Sequence, residues 1–164
     1  MHNTSLIREG AIAGILGATG VALWFLLVDS VSGRPFYTPA TLGEGVLSLF
    51  GLRRGDDFFT YATIYTIFHF TAFILVGIIA AAIVRWGERE PAVLAGALIL
   101  FVAIQVAFYG FTALLSESDR IGQLAWYQVG IANVIAALSM GFYLWKAHPA
   151  VGRRMDYALG GGER

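Results

Sequence analysis

The sequence predicts an all-α integral membrane protein, a four-helix bundle with a short amphipathic interfacial helix between its first and second spans. Three observations carry this. The 164-residue chain is 57% hydrophobic and only 13% charged, with a mean hydropathy of +0.69, too apolar for a water-soluble domain of this size. Four runs contain no Asp, Glu, Lys or Arg: Gly10 to Val28, Phe58 to Val84, Ala92 to Leu115 and Ile121 to Trp145. As helix, at about 1.5 Å per residue, each run matches or exceeds the roughly 30 Å hydrocarbon layer. Backbone groups in lipid must bond within their own segment or a closed barrel, and the alternation of a barrel strand is missing, so the runs are helices.

The first span is expected at about residues 8–30. Arg8 ahead of an apolar stretch and Ser30-Val31-Ser32 behind it loosely resemble a signal peptide, but the apolar run is longer than a usual signal core. Residues 31–57 form a long connection, in which Thr38-Pro39 is a good helix start. Leu42, Val46, Leu49 and Phe50 recur on one face, with Thr41, Glu44, Gly45 and Ser48 on the other. This predicts a surface helix at about 39–52, too short to span; the alternative is an ordered loop packed on the bundle. Asp57 is placed to cap a second span at 58–85, Pro91 to open a third at 91–115, and Ser116 and Asp119 to precede a fourth at 120–146, with Pro149 after its end. The last two connections are short, which makes neighbouring spans antiparallel. Residues 1–149 thus read as a single transmembrane domain and 150–164 as a tail, with a flexible Gly160-Gly161-Gly162 close to its end.

Charge and composition remove several function classes. The formal net charge is zero, so no basic field draws in a nucleic-acid backbone. No cysteine is present, which excludes disulfides, thiolate metal sites and cysteine nucleophiles. No nucleophile-elbow, zinc-protease or paired-carboxylate spacing occurs. The Arg-Pro-Phe-Tyr-Thr-Pro stretch at 34–39 reads as a rigid turn into the surface helix.

Orientation follows from basic residues. Arg8, Arg85, Arg89, Lys146, Arg153, Arg154 and Arg164 fall on one side, against Arg34, Arg53, Arg54 and Arg120 on the other. Both termini are therefore expected in the cytoplasm, with Trp86 and Trp145 marking the inner interface and Tyr61, Trp126 and Tyr127 the outer one.

Two sets of residues stand out within the spans. Gly10, Gly14, Gly17 and Gly20 line one face of the first helix, where small residues let another backbone approach closely. Packing inside the same bundle is the first reading of this stripe, and contact with another subunit the second. The other set is polar, and lipid penalises each polar group that lacks a partner. Tyr65, Thr66 and His69 share a face of the second span, Gln105, Tyr109 and Thr112 a face of the third, and Gln123, Trp126, Gly130, Asn133 and Ala137 a face of the fourth. Convergence of His69, Tyr65, Thr66, Gln105, Tyr109 and Asn133 would build a ligand-binding strip toward the outer face, near Asp29. Interhelical hydrogen bonds that only fix packing are the plainer reading.

His69 is a satisfied structural histidine in its first reading and a quinone or small-molecule contact in its second. Haem is not expected from a single chain, because His2 and His148 belong at the opposite interface. Three functions follow in order: a structural or accessory subunit packing in a homo-oligomer or with other membrane subunits, an oligomeric channel or small transporter using the strip around His69, and a quinone- or haem-binding membrane protein.

Overall fold

The computed structural model describes residues 2–49, 51, 57–90, 92–99, 101, 102, 105 and 126–149, the side chains of 2–4, 48, 49 and 126 excepted. Among the described residues the chain is all-helical, with no strand. The long helices are α1 (His2–Val31), α2 (Tyr37–Leu49), α3 (Phe58–Gly87) and α4 (Trp126–Ala147). Residues 92–99, 101, 102 and 105 are also helical. Three segments are long and apolar enough to cross a membrane: Ser5–Val31, Phe58–Gly87 and Tyr127–Ala147. Of the expected third span, 106–115 lies outside the described residues, as do Ser116, Asp119 and the tail.

Side-chain size is sorted as lipid immersion demands. Among the described residues the buried apolar ones are mostly small, with Ala13, Ala18 and Ala81 fully covered, and no large side chain is fully buried. Large ones point outward along each long helix: Leu23 and Leu27 on α1, Ile67, Leu75 and Ile79 on α3, Leu138 and Phe142 on α4. In water such an apolar belt would be a severe liability. In lipid, whose tails are as apolar as leucine, helices associate through close packing and small residues belong inside. The chain is accordingly a helical membrane protein.

α1 is the central element, packing most extensively on α3 and next on α4, while α3 and α4 barely touch each other. Gly10 and Gly14 of α1 lie against Ile78 and Phe73–Ile74 of α3, and Gly17 and Gly20 against Met140 and Ile135 of α4. In both pairings rising numbers meet falling ones, so α1 runs antiparallel to both partners.

α1 ends in a Schellman turn: Gly33, at φ 71°, donates to the Ser30 carbonyl and Arg34 to that of Asp29, at 3.0 and 2.9 Å. The chain then turns straight into α2, which begins at Tyr37, two residues earlier than the Thr38-Pro39 signal implied. α2 is a helix packed on α3 and not a loop: Ala40 and Gly43 are buried, Thr41 is half-buried and not on an open polar face, and Glu44 and Gly45 face out. Gly43 sits so close to the Tyr61 carbonyl that any Cβ there would lie 2.1 Å from it.

Asp57 occupies the N-cap of α3 but makes no side-chain bond to the helix N–H groups; its carboxylate takes the Thr60 hydroxyl instead. That bond, foremost, holds the Asp57 carboxyl below its ordinary 3.8. A lowered folded value means the contact is fully present above the ordinary value and is lost as pH falls through the lowered one.

Candidate functional site

His69 lies near the middle of α3, and its burial comes from α1 and from its own helix. Its Nε2–H donates to the Ala18 carbonyl of α1 across 3.1 Å. A carbonyl oxygen only accepts, so the geometry sets the donor on Nε2 and leaves Nδ1 as the free ring nitrogen. Tyr65 stacks on the ring at 5.6 Å and Phe73 packs at 4.7 Å. Ala18 is fully buried, which lets the imidazole reach the backbone of α1. Such interhelical bonds contribute about 0.6 kcal/mol on average within membranes.

The other polar residues separate into distinct contacts. Asn133 Nδ2 donates to Gln105 Oε1 at 3.0 Å, joining α4 to the helical residues that follow α3. Trp24 Nε1 donates to the Gln128 carbonyl at 3.0 Å, joining α1 to α4. Thr66 is exposed and its hydroxyl donates back to the Ala62 carbonyl of its own helix at 2.7 Å, so it turns away from His69. Tyr65 is half-buried, and its hydroxyl makes no hydrogen bond among the described residues. Tyr109, Thr112 and Gln123 lie outside them. Of the polar strip, then, the structure brings together Tyr65 with His69, both on α3, and separately Gln105 with Asn133, between α4 and the helical residues that follow α3.

The four glycines of α1 sit in two kinds of contact. A Cβ on Gly10 would fall 2.3 Å from the Ile78 Cα, and one on Gly14 2.3 Å from the Phe73 carbonyl. Gly77 of α3 completes that seam, since a Cβ added to it would fall 2.1 Å from the Gly10 carbonyl. Toward α4 the obstacles are side chains: Met140 for Gly17 and Ile135 for Gly20.

At the end of the molecule where α1 and α2 join, Asp29 is 4% exposed and grips the start of α2. Its Oδ2 accepts the Thr38 backbone N–H at 2.8 Å and its Oδ1 the Thr38 hydroxyl at 2.7 Å. A carboxylate at a helix N-terminus satisfies an open donor and faces the positive end of the helix dipole. Phe36 just before it has φ 65°, a left-handed conformation that costs a bulky residue roughly 1–2 kcal/mol. The Asp29 clamp holds it there, and the Arg34 guanidinium over the Tyr37 ring at 4.4 Å closes the turn.

The opposite end holds a charged cluster that no local pattern announces. Arg85 Nη2 of α3 donates to Glu9 Oε2 of α1 at 2.8 Å and to Ser5 Oγ at 2.9 Å. His148, just past α4, faces Glu88 Oε1 with Nδ1 at 2.9 Å and Glu9 Oε2 with Nε2 at 3.2 Å. A neutral imidazole has one donor and one lone pair, so both contacts are hydrogen bonds only when the ring carries two protons. The two carboxylates meet opposite edges of one ring, so their oxygens do not converge. Among the described residues no group of three metal-ligating side chains is found.

No protein-family model, curated protein or solved structure matches this chain.

Proposed function

We propose that this chain is a structural or accessory membrane subunit, a four-crossing helix bundle that packs in a homo-oligomer or against a larger membrane complex. The observation that carries the reading is where the polar groups go: His69, Trp24, Asn133 and Gln105 hydrogen-bond between the chain's own helices. Such groups act as glue between helices and not as a continuous lining. The glycine stripe is filled by α3 and α4, so contact with a partner falls to the outward apolar faces of the long helices, Leu23 and Leu27 of α1 among them.

Four crossings are supported by direction. α3 and α4 both run antiparallel to α1, so the end of α3 and the start of α4 lie at opposite ends of the molecule, and the helical residues 92–99, 101, 102 and 105, with Gln105 bonded to Asn133, support a crossing between them. The basic-residue count supports cytoplasmic termini.

Extraction from its own membrane in mild detergent, followed by native mass measurement, tests the reading. A mass several times 17.7 kDa, or a stoichiometric second protein, is expected; a lone monomer overturns it.

One observation favours a second reading, a small membrane-soluble ligand with a carbonyl acceptor, such as a quinone. Tyr65 keeps a phenolic donor without a partner among the described residues, beside the His69 ring. Quinone binding to purified protein that is lost in Tyr65→Phe would support it, and equal binding by both proteins would remove it.

A further inference from the structure

The seam between α1 and α4 opens at its charged end into a groove of about 420 Å³, lined by Ser5, Arg8, Glu9, Ile12 and Tyr143. Its charges are not equivalent. Glu9 is held by Arg85 and His148, whereas Arg8 is exposed and makes no hydrogen bond or ion pair among the described residues. The groove's negative charge is thus already matched, and its positive charge is left over. Lys146 adds a second exposed cation one turn beyond Tyr143, also without a partner among the described residues.

Depth identifies the occupant. Arg8 lies in the first turns of the Ser5–Val31 segment, and exposed Trp86 and Trp145 flank the same end, where aromatic residues sit at the headgroup level. Below Arg8 the lining turns apolar at Ile12, and Ile15 and Leu16, each 43% exposed, continue toward the membrane interior. A cation and a phenol above an apolar floor match a phosphate with hydrocarbon beneath it.

We propose that this groove binds the headgroup of an anionic phospholipid, with Arg8 pairing the phosphate, the Tyr143 hydroxyl donating to it and the acyl chain descending over Ile12. The lipid then wedges α1 against α4 beside the Glu9 cluster. The proposal rests on the membrane reading and adds selectivity to it.

Native mass spectrometry of the full chain in detergent, titrated with phosphatidylglycerol or phosphatidylcholine, tests it. Phosphatidylglycerol adducts should dominate, and Arg8→Gln should lower them about fivefold, the worth of one interfacial cation. Arg8→Lys should retain much of the binding, and Arg34→Gln, at the other end, all of it. Tyr143→Phe should weaken phosphatidylglycerol without affecting phosphatidylcholine. Equal adducts of both lipids, or unchanged binding in Arg8→Gln, overturn the site. Displacement of the lipid by millimolar inorganic phosphate overturns the lipid as its ligand and leaves a soluble-anion site. Each of these failures is read on protein that still sediments with membranes, whereas failure of the membrane reading would appear as loss of that sedimentation.

Discussion

Two halves of one glycine stripe do different work. Toward α3, Gly10 and Gly14 face backbone atoms, and Gly77 answers them from the other side. Toward α4, Gly17 and Gly20 face the Met140 thioether and the Ile135 and Ser139 side chains. Backbone of a packed helix moves only with its whole helix, whereas Met140 has three rotatable bonds and refills space readily. The same residue type at the same spacing is therefore a rigid requirement in one seam and an adjustable one in the next.

Substitutions sort the two seams by size of effect. Gly77→Ala should be the most damaging, since its new methyl would meet the Gly10 carbonyl at 2.1 Å. Separating α1 from α3 should cost about 3 kcal/mol or more, at the upper end for overpacking, read as a fall in melting temperature in detergent. Glu9→Gln comes next. It removes the carboxylate that Arg85 and His148 share, which binds α1 to both neighbours at once, and should cost about 2 kcal/mol by leaving partly buried charges poorly matched. If Glu9→Gln left stability unchanged, the cluster would be only a surface feature.

Gly17→Ala should cost less, about 1 kcal/mol, because the Met140 side chain can swing aside. A loss as large as that of Gly77→Ala would erase the distinction between the seams. Gly45→Ala reverses the sign. The position is exposed on α2 and, apart from its chain neighbours and the adjacent backbone of its own helix, nothing lies within 4 Å of a new Cβ, so the variant should gain about 0.5–1 kcal/mol of helix propensity.

Much of this architecture is legible in the sequence, because lipid imposes a simple rule on length and charge. The ends of Phe58–Gly87 follow from the charges at Asp57, Arg85 and Glu88, and the four glycines of α1 mark a contact face without any partner in view. The identity of the partner is not legible. Gly77 is an isolated glycine in an apolar run, and nothing local says that it meets Gly10, 67 positions earlier.

The polar strip shows the same limit. The spacing of Tyr65, Thr66 and His69 places them near one another, but a helix face spans a wide arc, and Thr66 falls on its exposed edge, bonded to Ala62. His69 reaches a backbone carbonyl, an acceptor every residue carries, so no residue type in α1 could have marked it. Glu9 and Glu88 have partners 76 and 60 residues away, at Arg85 and His148, and only folding brings them together. Asp29 and Thr38 are nine apart, close enough that an acidic residue before a Thr-Pro helix start was the one local signal available.

The central claim is that the glycine stripe serves contacts inside one chain. Thermal unfolding of the native protein and Gly14→Ala, compared over a hundredfold dilution in detergent with particle mass measured alongside, tests it most directly. If the stripe is internal, Gly14→Ala melts at a lower temperature by the same margin at every concentration, and its particle mass is unchanged. A native melting temperature that falls on dilution, with Gly14→Ala altering particle mass and not the stability of the dilute chain, would show that the stripe joins separate chains and would contradict the account.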